Sequence, residues 1–124
     1  MQSNEDFEQQ ALVAWADLPL TRKIYPELEW LFHPANGGLR HISVAAKLKK
    51  MGVRKGVPDL CLPVPRGCYT SLWIEMKYGK NKPTPEQLEF KKFIEGQGGL
   101  WMVCWDWTEA KRIIEDYLRK GKQQ

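Results

Sequence analysis

The segment from Leu72 to Lys77 places an acid and a base within a stretch that otherwise has the composition of a buried strand. Side chains alternate between the two faces of a strand, so Glu75 and Lys77 are expected to share one face. Their neighbours are apolar on both faces, which is typical of a central strand. Charges in such a strand are costly unless they have partners or a ligand, so this pair is a candidate for chemistry.

A second carboxylate, Asp59, opens the preceding predicted strand. Counting outwards from the predicted turn at residues 66–67 puts Asp59 and Glu75 nearly opposite each other, where neighbours on one face lie roughly 4.5–5.5 Å apart. Two carboxylates at that distance repel each other unless a cation lies between them. Oxygen ligands of this kind suit Mg²⁺ or Mn²⁺, and the backbone carbonyl of Met76 is a candidate further ligand.

This arrangement predicts metal-assisted hydrolysis at a phosphoryl group. A divalent cation lowers the pKa of a bound water and neutralises the charge that develops on a phosphoryl oxygen. Lys77 can orient or help deprotonate that water, or stabilise the phosphate in the transition state. The alternative for Asp59, Glu75 and Lys77 is a purely structural ion pair. A pair between Glu75 and Lys77 leaves the charge of Asp59 without an explanation.

Charge and length favour a small protein with a polyanionic partner. The chain has 124 residues and a net charge of +4, and this length suits a single domain over residues 1–124. Two basic stretches without acids, residues 47–55 and 77–82, flank the candidate strands. They are either solvated surface or, as their position on both sides of the candidate site favours, contacts for phosphate groups. The basic residues predicted to bind DNA are Lys47, Lys49, Lys50, Arg54, Lys55, Lys80 and Lys82.

Three cysteines without a CxxC motif argue against a disulfide framework and against a structural zinc site. A reduced, cytoplasmic setting is therefore expected. The polar start of the chain predicts no secretory signal. No apolar run approaches the roughly 18–20 residues of a membrane span, so no membrane partner is expected.

The predicted elements alternate between helices and strands. In chain order they are a helix at 4–17 closed by Pro19, a strand at 29–33, a helix at 43–50, strands at 59–64 and 72–77, a helix at 84–96, a strand at 100–105 and a helix from 106. This order predicts an α/β fold with a mixed sheet flanked by helices.

Five segments in this order resemble the VRR-NUC branch of the PD-(D/E)XK nucleases, which occurs in phage and bacterial proteins. They are EDFEQ (5–9), PANGGLR (34–40), KGVPDL (55–60), WIEMK (73–77) and TPEQ (84–87). The resemblance spans nearly the whole chain and is more specific than the PD and ExK pairs alone. It implies a restriction-endonuclease-like αβββαβ core, Mg²⁺ or Mn²⁺ as cofactor, and cleavage of DNA. Stand-alone members resemble homodimeric resolvases of four-way (Holliday) junctions, which implies a role in DNA repair.

The resemblance also implies further site residues, each with a structural alternative. An acidic residue on the first helix is expected near the metal, and Glu5 and Glu8 both qualify, although either also suits the first turn of a helix. Gln87 is expected to face the site, but a capping box explains it equally well. Asn36 and Arg40 fall in a turn that either approaches a DNA phosphate or is a plain turn.

Two classes of function fit these residues. The first is a structure-selective DNA endonuclease that resolves four-way junctions, with a flap or other branched-DNA nuclease as its variant. The second is a non-catalytic DNA-binding module that retains the nuclease fold. No catalytic position of the resemblance is replaced in this chain, which favours the enzyme.

Overall fold

The structure, a computed structural model, describes residues 4–34 and 42–122. In this part of the chain, a mixed sheet contains β1 (Leu60–Leu62), β2 (Leu72–Met76) and β3 (Leu100–Cys104) in that spatial order. β1 pairs with β2 in antiparallel fashion, and β2 pairs with β3 in parallel. The charged strand predicted to be central is therefore central.

Helices flank this sheet. They are α1 (Asn4–Ala16), α2 (Pro19–Ile24), a 3₁₀ helix (Pro26–Trp30), α3 (Ile42–Lys50), α4 (Pro85–Gly96) and α5 (Trp107–Leu118). α4 connects the parallel strands β2 and β3, as a crossover between parallel strands requires. α1 and α5 pack against each other, and Leu12 and Tyr117 are among their fully buried residues. The α/β fold with a mixed, helix-flanked sheet is confirmed.

α4 begins as its sequence predicts. Thr84 caps the helix, since its side chain accepts a hydrogen bond from the backbone of Gln87, and the Gln87 side chain accepts one from the backbone of Thr84. Pro85 occupies the first turn, where its missing N–H is not needed. These local signals fix where the helix that follows the charged strand starts.

The predicted strand at residues 29–33 is wrong. Its first two residues, Glu29 and Trp30, belong to the 3₁₀ helix, and of the other three only Phe32 pairs with the sheet, by exchanging two backbone hydrogen bonds with Cys61. The next such pairs on either side need N–H groups from Pro34 and Pro63, which prolines lack. The first strand of the expected αβββαβ order is therefore reduced to a single bridge.

Two other predicted boundaries differ from the structure. Pro19 follows the first helix, as predicted, but it also begins α2, because proline is well suited to the first turn of a helix. The strand predicted at 59–64 is shorter, since Pro63 ends its pairing after Leu62. Both differences arise from prolines that start or stop an element.

Cys61, Cys68 and Cys104 are free thiols, and Cys61 and Cys104 are buried. Among the helices of residues 4–34 and 42–122, none has the length and apolar character needed to cross a bilayer.

Gly56 lets the loop before β1 lie directly against α4. Its φ is +81°, and a Cβ at this position would lie 2.4 Å from the carbonyl oxygen of Glu86. Gly56→Ala is expected to lower the free energy of unfolding by about 2–5 kcal/mol, since left-handed strain and overpacking add. Urea unfolding measures this loss. Gly52→Ala is the matched control, because Gly52 has a φ of +106° but no neighbour within 4 Å of the added Cβ. Equal losses in the two variants would contradict the close packing.

Candidate active site

Asp59 and Glu75 lie opposite each other at the end of the β1–β2 pair. The register joins Leu60 to Ile74, and one further step joins Asp59 to Glu75. Cys61 directs its backbone N–H and C=O away from β2, toward Phe32. The odd-numbered residues of β1 therefore form no backbone hydrogen bonds with their partners on β2. Such pairs have the closest side chains, with Cα atoms about 4.5 Å apart. The structure therefore brings the two carboxylates together.

The backbone of Met76 completes this corner of the site. Its N–H donates to Oδ2 of Asp59 at 2.7 Å. The N–H and C=O of one strand residue point to the same side, so the Met76 carbonyl also faces the Asp59 side of β2. The residue that continues the register opposite Met76 is Pro58, which has no N–H to donate to that carbonyl. Asp59 thus contributes a carboxylate, and Pro58 leaves the Met76 carbonyl without a hydrogen bond from the β1 side.

Glu75 is buried and only partly satisfied. The residue is 3% exposed. Its Oε1 accepts a hydrogen bond of 3.1 Å from Nε2 of Gln87. Oε2 is buried and has no hydrogen-bond partner among the described residues. Burial, and then the Asp59 carboxylate, raise the pKa of Glu75 to about 9. A buried carboxylate oxygen beside a second carboxylate is satisfied by a proton or by a cation.

The donors present fit a magnesium-type site rather than an all-protein cage. In the described part of the chain, no group of three or more His, Cys, Asp or Glu side chains is spaced to hold a metal ion. Mg²⁺ commonly takes only one or two carboxylates, keeps several waters and adds substrate phosphates. Asp59 and Glu75, with the carbonyl of Met76, are the set that such an ion would need.

Lys77 follows β2 and is 8% exposed. Its backbone N–H donates to Cys104 of β3 at 2.8 Å, so the residue continues the strand alternation that puts its side chain on the face of Glu75. None of the ion pairs between described residues includes Lys77, Asp59 or Glu75. The structural ion pair considered as the alternative is therefore not formed in the described region.

The two acidic residues of α1 have different surroundings. Burial raises the pKa of Glu5, Lys77 opposes this shift, and Asp59 adds to it, so Glu5 lies within electrostatic reach of the site. Oε1 of Glu8 accepts a hydrogen bond of 3.1 Å from the backbone N–H of Trp107, at the start of α5. The hydrogen bond of Glu8 gives it a capping function, and the electrostatic link of Glu5 with Asp59 and Lys77 leaves Glu5 as the candidate helical carboxylate.

Gln87 combines both functions considered for it. Its Oε1 accepts from the backbone N–H of Thr84 at 2.9 Å, while its Nε2 donates to Glu75. The two ends of one amide thus hold the start of α4 and orient a candidate metal ligand.

Comparison with known proteins gives a match at the level of structure. No protein-family model matches the chain, and no curated protein matches it. A solved structure described as a VRR_NUC domain protein superposes with a TM-score of 0.79 and 28% sequence identity, over 98% of this chain and 93% of that one. The chain has a VRR-NUC domain fold. The resemblance to the VRR-NUC branch that the five sequence segments predict is confirmed at the level of the fold.

The residues predicted to bind DNA fall into two groups. Seven are described, and all seven are exposed and absent from the ion pairs between described residues. They are Lys47, Lys49 and Lys50 on α3, Arg54 and Lys55 in the loop before β1, and Lys80 and Lys82 in the loop after β2. Asn36 and Arg40 lie outside the described residues.

His33 is a residue that the sequence did not connect with the candidate site, since its type and position indicate a structural residue. In the structure, its Nδ1 lies 2.6 Å from the backbone oxygen of Asp59. The one signal in the sequence is the proline that follows it, because a proline beside a strand removes a backbone donor.

Gln87→Ala tests whether the amide acts on the candidate site as well as on the helix. Outer-shell partners of metal ligands typically contribute 10–100-fold in metal affinity or activity, so the metal-dependent cleavage that the sequence predicts is expected to fall by roughly that factor at limiting Mg²⁺. Thr84→Ala is the matched control, because it breaks the same capping box at a cost of about 1 kcal/mol without touching Glu75. Initial rates across a Mg²⁺ titration, together with melting curves, separate the two effects. Equal rate losses in Gln87→Ala and Thr84→Ala would show that Gln87 acts only as a helix cap.

Proposed function

We propose that this VRR-NUC domain is a Mg²⁺- or Mn²⁺-dependent deoxyribonuclease that hydrolyses phosphodiester bonds in branched DNA, with four-way junctions as its first candidate substrate. The single observation that carries the proposal is Oε2 of Glu75, a buried oxygen without a hydrogen-bond partner in the described region, beside the Asp59 carboxylate. That site needs a positive charge. Phosphodiester hydrolysis is the reaction for which a hard cation, two carboxylates and a lysine are suited.

Each residue has a separate part in this reaction. A bound divalent cation supplies Lewis acidity toward water and phosphate. Asp59 and Glu75 hold the cation, and the Met76 amide and Gln87 keep the two carboxylates oriented. Lys77 shares their face of the strand, where its ammonium orients the attacking water or stabilises the negative charge that develops on the phosphate.

DNA binding in this proposal depends on phosphate contacts. The exposed lysines and arginines on α3 and in the two loops that flank β1 and β2 supply the positive charge. Because such contacts release counterions from DNA, binding should weaken steeply as salt increases.

The branched substrate also leads us to propose a homodimer. A four-way junction has two-fold symmetry, and a two-fold dimer brings two active sites to two strands. On α2, Leu20 is 76% exposed and Ile24 is 69% exposed, and their spacing of four puts them on one helical face. This face is a candidate interface. A monomer mass in light scattering at working concentration would contradict the dimer.

The activity is tested with labelled four-way junctions, flaps and linear duplexes, each with Mg²⁺, with Mn²⁺ and with EDTA. We expect metal-dependent cleavage of the junction, and at most about one hundredth of that rate in Asp59→Asn, which keeps an oxygen for the Met76 N–H but loses the charge. Preferred cutting of flaps would identify a flap nuclease. DNA binding without cutting of any substrate would identify the non-catalytic module, and full activity in Asp59→Asn would refute the site.

A further inference from the structure

The outer edge of β1 lacks one backbone donor next to Asp59. Phe32 and Cys61 exchange two hydrogen bonds, of 3.0 and 2.8 Å, as an antiparallel pair does. The next pair of this type is two residues further along each chain, so the carbonyl of Asp59 is due a hydrogen bond from the N–H of residue 34. Residue 34 is proline and has no N–H.

The side chain of His33 supplies the missing donor. Its Nδ1 lies 2.6 Å from the Asp59 carbonyl oxygen. A carbonyl oxygen only accepts hydrogen bonds, so Nδ1 carries the proton in this contact. An imidazole thus takes the place of a backbone amide at the residue that also carries a candidate metal ligand.

Asp59 is held from two sides as a result. The Met76 amide holds its carboxylate from the side of β2, and His33 holds its backbone from the opposite edge of β1. The residue lies one position before the start of β1, where ladder pairing no longer fixes the chain. His33 is itself exposed, so this contact, rather than packing in the core, is what its ring contributes to the fold.

We propose that His33 is a positioning residue that orients Asp59 for a divalent cation. The proposal rests on the proposed function of the VRR-NUC site. Orienting partners of metal ligands typically change metal affinity by 10–100-fold when they are removed. An exposed hydrogen bond contributes only about 1 kcal/mol to stability, so the effect on metal binding should exceed the effect on folding.

Three substitutions of His33 distinguish the hydrogen bond to Asp59 from other effects of the imidazole ring. The amide nitrogen of Asn can occupy the place of Nδ1, whereas that of Gln corresponds to Nε2, and Ala has no donor. Mn²⁺ binding to the DNA-free protein is measured by electron paramagnetic resonance of the unbound ion. We expect His33→Ala and His33→Gln to weaken Mn²⁺ binding about tenfold or more, and His33→Asn to stay within about threefold of the wild type. Thermal unfolding in EDTA checks that all three variants fold.

The outcomes distinguish the positioning function from the proposed activity. If the wild type binds Mn²⁺ and His33→Ala binds it equally well, or if Asn fails as badly as Ala, the function of His33 is refuted while the nuclease site stands. If the wild type binds no Mn²⁺, the proposed function fails and the function of His33 fails with it. Nitrogen NMR of the imidazole gives a metal-free check, because a neutral ring with its proton on Nε2 instead of Nδ1 would also overturn the contact.

Discussion

Glu75→Gln is expected to abolish metal-dependent cleavage and, at the same time, to make the metal-free protein more stable. The substitution removes a charge that the proposed cation needs, so the cleavage rate should fall by at least about 100-fold. The same charge is destabilising without metal, because Glu75 is buried beside Asp59 and its Oε2 has no hydrogen-bond partner in the described region. A neutral amide of the same shape removes that cost.

The stability gain should depend on pH in a defined direction. The pKa of Glu75 is raised in the folded protein from 4.5 to about 9, so the native state holds more protons than the unfolded chain between these values. Stability from this group is fully present below pH 4.5 and is lost as pH rises toward about 9. The amide that replaces the carboxyl group in the variant does not titrate. The free energies of unfolding of Glu75→Gln and the wild type should therefore differ by on the order of a few kcal/mol more as pH rises.

Urea unfolding in EDTA at pH 5, 7 and 9, expressed as the free energy of unfolding, measures this difference. Saturating Mg²⁺ should reduce the difference in free energy of unfolding between the variant and the wild type, because a cation stabilises the ionised wild-type site and not the amide. Glu89→Gln is the matched control, since Glu89 is an exposed carboxylate of α4 and its loss should change neither stability nor cleavage. Parallel stability curves for wild type and Glu75→Gln would show that Glu75 is not under this strain.

Local patterns were sufficient to predict which residues lie together at the centre of the candidate site. Glu75 and Lys77 share a face because strand alternation is a property of neighbouring residues. Asp59 joins them because the connection between β1 and β2 is short, so counting residues outwards from the turn gives the register that the structure has. The start of α4 is equally local, since Thr84 and Gln87 cap it within four residues.

The parts that sequence could not predict depend on contacts distant in the chain. The residues at 29–33 have strand-forming side chains, but Pro34 and Pro63 remove the ladder donors on either side of the Phe32 bridge. Which acidic residue of α1 faces the site depends on how α1 packs against α5. Glu8 is occupied by the start of α5, and that contact spans 99 positions in the sequence.

The same distinction explains why Gln87 was ambiguous. Its capping bond is three residues long and visible in the sequence, whereas its bond to Glu75 crosses from α4 to β2 and requires the folded sheet. A residue with a complete local explanation can therefore still have a second partner. His33 is the corresponding case on the other side of Asp59, where the local signal was only the adjacent proline.

Lys80→Met is the control for the second large effect, which is expected at Lys77. Lys80 is exposed in the loop three residues beyond Lys77 and is proposed to contact DNA phosphate. Its substitution should weaken binding to all DNA structures about equally and reduce the salt dependence by about one phosphate contact. The rate of cleavage of saturated DNA should stay near that of the wild type.

Lys77→Met should show the opposite result, with cleavage of bound junction reduced by about 10²–10⁴-fold and junction affinity within about threefold of the wild type. Methionine preserves most of the length of the buried side chain, and Lys77 has no ion pair with a described residue that the substitution would break. The folded state should change little in stability, because the cost of burying the ammonium offsets its attraction to Glu5 and Glu75. Single-turnover cleavage with enzyme in excess, beside junction binding in Ca²⁺, separates the two quantities. If Lys77→Met instead lost affinity and retained the rate, Lys77 would be a phosphate anchor and the water or transition state would need another partner.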